Sequence, residues 1–147
     1  MSYLGLEARN LGSEPPKLLL VDDDPVQLEM SEGALGALGF RVLTHLVTSS
    51  GDVGSLTERL AIKRYDLIVY DTDMGLFNGY EVAAEAAVTS GNPAPYVGWS
   101  HQRDHDKERK WGEAGARDFW QRSWGFDMEG YQTIASQIFK LLENNGN

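Results

Sequence analysis

Asp22, Asp23 and Asp24 close the apolar run KLLLV at residues 17–21, and Asp71 closes a second run, LIVY, at residues 67–70. PYVGW ends in Ser100, and DFWQ ends in Arg122. Carboxylates crowded together repel one another unless something neutralises them. A hard divalent cation such as Mg²⁺ (or Mn²⁺) suits them, because it binds through a few carboxylates and water. A carboxylate beside such an ion, with a hydroxyl and a cation nearby, can attack and hold a phosphoryl group. That chemistry needs residues 22, 23, 71, 100 and 122 to meet, so the elements carrying them must end in one place.

The pattern along the chain supplies such elements. KLLLVDDD (17–24) predicts a buried strand bounded by Pro-Pro and by acids. DPVQLEMSEGALGALG follows as a helix, with Asp24 as its N-cap, Pro25 at the first helical position and Gly39 at its C-terminal end. FRVLTHLV (40–47) predicts the second strand, and SSGDVGSLTERLAIKR a helix to about Arg64. DLIVYD (66–71) is the third strand and the Ala-rich NGYEVAAEAAVTSG (78–91) its helix. PYVGWS (95–100) is the fourth strand, followed by the charged helix DHDKERKWGEAG (104–115). ARDFWQRS (116–123) is the fifth strand, and MEGYQTIASQIFKLLENN (128–145) the last helix, with Ile134, Ile138, Leu141 and Leu142 at helical spacing.

Strands alternating with helices imply right-handed crossovers and a parallel sheet. Ligands of such sheets bind beyond the carboxyl ends of the strands. The acids, Ser100 and Arg122 therefore share one edge, and Asp71 is a nucleophile brought to it. For Asp24 the capping role is the better reading.

Composition narrows the class. A chain of 147 residues, 41% hydrophobic and 24% charged, suits one folded domain, expected over 17–145 after a flexible lead-in at 1–16. There is no cysteine, hence no disulfide framework or thiolate metal site, which fits a reducing compartment. No run is long and apolar enough for a membrane helix, and the N-terminus lacks a secretory pattern. The net charge of −9 argues against binding nucleic acid phosphates. No histidine among His45, His101 and His105 has metal-ligand spacing, and Trp99, Trp111, Trp120 and Trp124 are expected to pack rather than stack bases.

LLLVDDDP, DLIVYDTDMGLFNGYE, VGWS and GARDFWQRS together resemble the successive motifs of the response-regulator receiver domain, in order and spacing, from about Lys17 to Asn144. The resemblance implies a flavodoxin-like, doubly wound (βα)5 sheet with strand order 2-1-3-4-5. It implies a cytoplasmic two-component or phosphorelay protein in which a histidine kinase or phosphotransfer protein phosphorylates Asp71. Asp22 and Asp23 match the acid pair that holds Mg²⁺, and the backbone carbonyl of Asp73 matches the third protein ligand. Ser100 matches the switch hydroxyl, Phe119 the switch aromatic, and Arg122 the position of the phosphate-contacting cation. A stand-alone receiver without an output domain is expected, acting through a protein target and catalysing at most its own phosphorylation and dephosphorylation.

Several positions depart from the pattern. Arg122 and Ser123 replace lysine and proline, Gly75 replaces a proline, Asn78 replaces an acid, and His101 stands where a small residue is usual. A planar guanidinium does not fill the place of a compact ammonium in the same way. The expectation is that the acceptor is kept while switching is weakened or rerouted. Two other functions fit parts of the chain. One is a pseudo-receiver that keeps the fold as an interaction module. The other is a haloacid-dehalogenase-like phosphatase beginning at VYDTDMG, which leaves Asp22 and Asp23 without a role. Trp111, Phe119, Trp120, Trp124 and Tyr131 are expected either to form a partly exposed patch for a partner, or a homodimer, on the fifth-strand face, or to be core.

Overall fold

The first strand, β1 (Lys17–Asp22), lies between β2 (Arg41–Leu46) and β3 (Leu67–Asp71), and all three run parallel. β6 (Tyr96–Ser100) and β7 (Phe119–Gln121) continue the sheet beyond β3, also in parallel. A computed structural model gives these elements and describes residues 14–122 and 127–145. The order is β2-β1-β3-β6-β7. This is the expected 2-1-3-4-5 order once the short pair β4 (Asp73–Met74) and β5 (Phe77–Asn78) is set aside as a separate antiparallel ribbon. Residues 1–13 of the expected lead-in, and Ser123 and Trp124, lie outside the described residues.

Helices follow the strands: α1 (Pro25–Ala37), α2 (Ser50–Ile62), α3 (Gly79–Ser90), α4 (His105–Glu113) and α5 (Met128–Asn145). Their starts are set by short polar side chains. Asp24 Oδ1 accepts from the amides of Val26 and Gln27 at 2.9 and 3.4 Å, ahead of Pro25 in the first turn. Ser49 caps α2, and Asp52 in that first turn accepts from the Thr48 amide at 2.8 Å. Asp104 caps α4. Gly39, with φ of 105°, follows α1 in the left-handed region that glycine enters without strain.

Both faces of the sheet are covered, so its central strands β1 and β3 are near-continuous apolar runs. Leu18, Leu20, Leu67, Val69, Val97, Trp99 and Trp120 pack with Leu28 and Leu35 of α1 and Ile134 and Ile138 of α5. The alternate residues Leu19, Val21, Ile68, Tyr70 and Phe119 pack with Leu56 and Leu60 of α2, Val82 and Ala83 of α3, and Trp111 of α4. Trp111 is the one described residue of α4 that is fully buried. Its indole lies against β6 so closely that a methyl group on Gly98 would fall 2.1 Å from it.

The fifth strand is shorter than expected, 119–121 rather than 116–123. Gly115, at φ of 96°, turns the chain there, and Asp118 spends its carboxylate on the Phe119 amide and the Trp120 indole N–H, each at 2.8 Å. For the described aromatic residues the core reading holds and the exposed patch does not. Trp111, Phe119, Trp120 and Tyr131 are all buried, because successive residues of β7 enter the two covered faces in turn.

Candidate functional site

Strand alternation decides which side chains meet at the carboxyl edge. Asp22 continues the parity of Leu18 and Leu20, Asp71 that of Leu67 and Val69, and Arg122 that of Trp120. All three therefore turn toward the α1/α5 side, where Trp99 also lies. Pairing of Val21 with Tyr70 sets Asp22 and Asp71 side by side at the ends of neighbouring strands.

Asp22, Asp23 and Asp71 each offer a carboxylate oxygen, and these oxygens lie within 4.8 Å of one another. Asp22 is buried, and its Oδ1 accepts from the amides of Asp23 and Asp24 at 2.7 and 3.2 Å. Burial raises the Asp71 carboxyl to about 7, helped by the Asp22 charge and opposed by Arg122. Partial burial, with hydrogen bonding to Asp22 and its charge, raises Asp23 to about 6. The donor set is hard oxygen and carries surplus negative charge, so the residues present fit a divalent cation of the Mg²⁺ class.

Arg122 is wholly interior, 4% exposed. Its Nη1 donates to Asp22 Oδ2 at 2.9 Å and to Asp71 Oδ1 at 3.5 Å. Its Nη2 donates to Gln27 Oε1 at 2.9 Å and to Ser31 Oγ at 3.3 Å. The guanidinium also stacks on Trp99, 4.2 Å from the ring centroid. Ser31 Oγ is in turn 2.8 Å from the Tyr131 hydroxyl, which ties α1 to α5. Gln27 and Ser31 were not among the residues singled out from the sequence, and Tyr131 was singled out only as a patch or core aromatic. Ser31 carried a signal: it sits three positions from Leu28 and from Ala34, a polar residue on the helix's apolar side.

The remaining candidates are not all brought to this centre. Ser100 ends β6, is buried, and accepts from the Gln102 amide at 3.4 Å; its strand parity, that of Gly98, sets it toward the α2–α4 side. Phe119 lies in the core of that same side. His101 is half-buried, and burial with the Arg122 charge lowers its pKa. Asp73 is exposed, and its Oδ2 accepts from Lys107 of α4 at 2.9 Å. The ribbon brings its turn inward: a methyl group on Gly75, at φ of 63°, would sit 3.8 Å from Asp23 Oδ2. Leu76, at the ribbon's tip, is 97% exposed. Behind Asp71, Thr72 Oγ1 donates to the Trp99 carbonyl at 2.9 Å and accepts from the Trp111 indole at 3.0 Å. The first residue of α3 must be glycine, because a methyl group on Gly79 would lie 1.9 Å from the Asp71 carbonyl oxygen.

No family model matches the chain, and no curated protein matches it in sequence. Solved structures match it closely in shape. The chemotaxis protein CheY4 of Vibrio cholerae superimposes with a TM-score of 0.66 at 19% identity, over 84% of this chain and 98% of that one. A CheY-like receiver domain protein from Methanospirillum hungatei JF-1 gives 0.70 at 15% identity, over 89% and 96%. The phosphorylated cyanobacterial phytochrome response regulator RcpA gives 0.68 at 19% identity, again over 89% and 96%. The chain has the fold of the CheY-like response-regulator receiver domains.

Proposed function

We propose that this receiver-fold chain is a phosphoacceptor of a two-component or phosphorelay system, with Asp71 as the residue phosphorylated. The observation that carries the reading is the meeting of Asp22, Asp23 and Asp71, from two central strands, at the edge where this fold binds its ligands. One of the structures it resembles is itself a phosphorylated response regulator. In the proposed reaction an Asp71 carboxylate oxygen attacks the phosphorus of a donor phosphohistidine. The O–P bond forms as the P–N bond breaks, and the imidazole leaves with the electron pair. Asp22, Asp23, Asp71 and the backbone carbonyl of Asp73 would hold Mg²⁺ or Mn²⁺, which supplies charge neutralisation for the phosphoryl oxygens. Ser100 is proposed to hold a phosphoryl oxygen and Phe119 to answer its movement. The donor is a histidine kinase or phosphotransfer protein, expected in the cytoplasm, and the output a protein–protein contact. A homodimer over the β7 side belongs to the same proposal.

A burial-raised carboxyl is a poor nucleophile until it ionises, so the cation and Arg122 both favour the reactive form of Asp71. The phosphatase reading gives Asp22 no task, whereas here Asp22 lies against Arg122 beside Asp71. The pseudo-receiver reading has one observation in its favour: Arg122 already neutralises part of the acid cluster. Acetyl phosphate with Mg²⁺, followed by intact mass, separates them. The expected result is a gain of one phosphoryl group that is absent in Asp71→Asn. An unmodified mass under conditions that label a control receiver favours the pseudo-receiver, and turnover of an unrelated monoester favours the phosphatase.

A further inference from the structure

Arg122 binds two of the three acids that would hold the cation. Its four Nη–H donors are distributed over Asp22, Asp71, Gln27 and Ser31. Its Nε, buried, has no hydrogen-bond partner among the described residues. Asp22 is the most committed ligand. Its Oδ1 is taken by two backbone amides and its Oδ2 by Arg122 Nη1. A divalent ion reaching Asp22 must therefore share Oδ2 with a guanidinium hydrogen or displace it. The ion must also settle beside a positive charge in a largely desolvated place, where like charges repel strongly. A lysine ammonium at the end of β7 would carry the same charge without this fork. The planar guanidinium is held from behind by Gln27 and Ser31 and from its face by Trp99.

We infer that Arg122 is a resident counter-ion of the acid cluster, and that the divalent cation and its guanidinium compete for Asp22 and Asp71. The inference rests on the reading that the cluster holds such an ion. The competition makes occupancy of the edge felt elsewhere: when Nη1 gives up Asp22, the hydrogen bonds of Nη2 to α1 lose their anchor, and Ser31 couples that change to Tyr131 of α5. Residues behind the site, which touch no ligand of the ion, thereby set its affinity.

The test is calorimetric titration of the full chain with Mn²⁺ and with Mg²⁺. Arg122→Gln removes the competitor, and Gln27→Ala loosens its hold while leaving every proposed ligand in place. Arg122→Gln should bind the ion at least about tenfold more tightly than wild type. Gln27→Ala should bind about threefold more tightly, the worth of a hydrogen bond to a charged group partly replaced by water. If Arg122→Gln fails to fold, Gln27→Ala decides alone. Equal affinity in wild type and variants overturns the competition and leaves the metal site standing. No binding by any of them overturns the competition together with the metal site. Amide shifts at Ser31 and Tyr131 on adding Mg²⁺ to wild type should accompany binding, and their absence counts against the coupling.

Discussion

Two carboxyls that hold their protons unusually tightly make the site sensitive to pH. Asp71 is raised to about 7 and Asp23 to about 6, in both cases first by burial and then by the neighbouring acid. The folded state therefore binds protons more tightly than the unfolded chain, whose aspartates titrate near 3.9. Stability from these groups is fully present below that unfolded value. It is lost as pH rises through about 6 to 7, because ionisation then takes place inside the fold. A series of thermal melts in chelator should show the midpoint falling between about pH 4 and 7 from these two groups. Mg²⁺ should flatten the decline, and Asp23→Asn should remove part of it. A midpoint that rises across that window would refute the assignment. The acids themselves were legible in the sequence, because each closes an apolar run. The role of Arg122 was not, because Gln27 and Ser31 lie 95 and 91 residues away from it and nothing local marks them as its partners.

The elements that frame the edge are held in unequal ways. α4 is a charged helix with a single fully buried residue, Trp111, whose indole N–H also donates to Thr72 beside Asp71. Trp111→Ala should cost about 3–5 kcal/mol, as large aromatic truncations in cores do. It should also open α4 to hydrogen exchange before the rest of the sheet. Gly98→Ala is the converse test, since its methyl group would enter the indole; overpacking of this kind costs about 1–3 kcal/mol. Lys107 holds the ribbon to α4 through exposed Asp73, and exposed pairs contribute about 0–1 kcal/mol. Lys107→Ala should leave global unfolding almost unchanged while the amides of 73–78 exchange faster. Strands and helices were readable from their periodicity and caps. The ribbon was not, since strands of two residues leave no pattern. The extent of β7 was not either, since nothing local in ARDFWQRS marks Phe119 as its first residue.

Across the whole molecule, charge and topology act together. A net charge of −9 surrounds a site that is itself acidic. A cationic partner or a divalent ion is drawn in by that field, and salt screens it over about 8–10 Å. The rate at which Mn²⁺ or a basic phosphodonor associates should therefore fall steeply between about 0.05 and 0.3 M salt, while dissociation changes little. Stopped-flow measurement at several ionic strengths checks this. A rate indifferent to salt would assign the encounter to shape alone. Alternation alone gave the parallel sheet, and its order followed from the resemblance. The fate of the aromatic residues was open on the sequence, because a parallel sheet buries both faces and gives Phe119 and Trp120 opposite destinations, neither of them solvent.

Asp22, Asp71 and Arg122 stand far apart along the chain yet share one ion pair network in the interior. Detaching the C-terminal strand and helix would withdraw the guanidinium and leave two acids facing each other in a low-dielectric setting. A half-open form of this kind is therefore penalised twice, by lost packing and by uncompensated charge. The network thus acts as a cooperativity device that couples the opening of the C-terminal strand and helix to that of the first strand. A bound divalent ion would replace the withdrawn charge and relax this coupling. The C-terminal unit would then open separately in the metal-loaded protein, and together with β1 in the metal-free one.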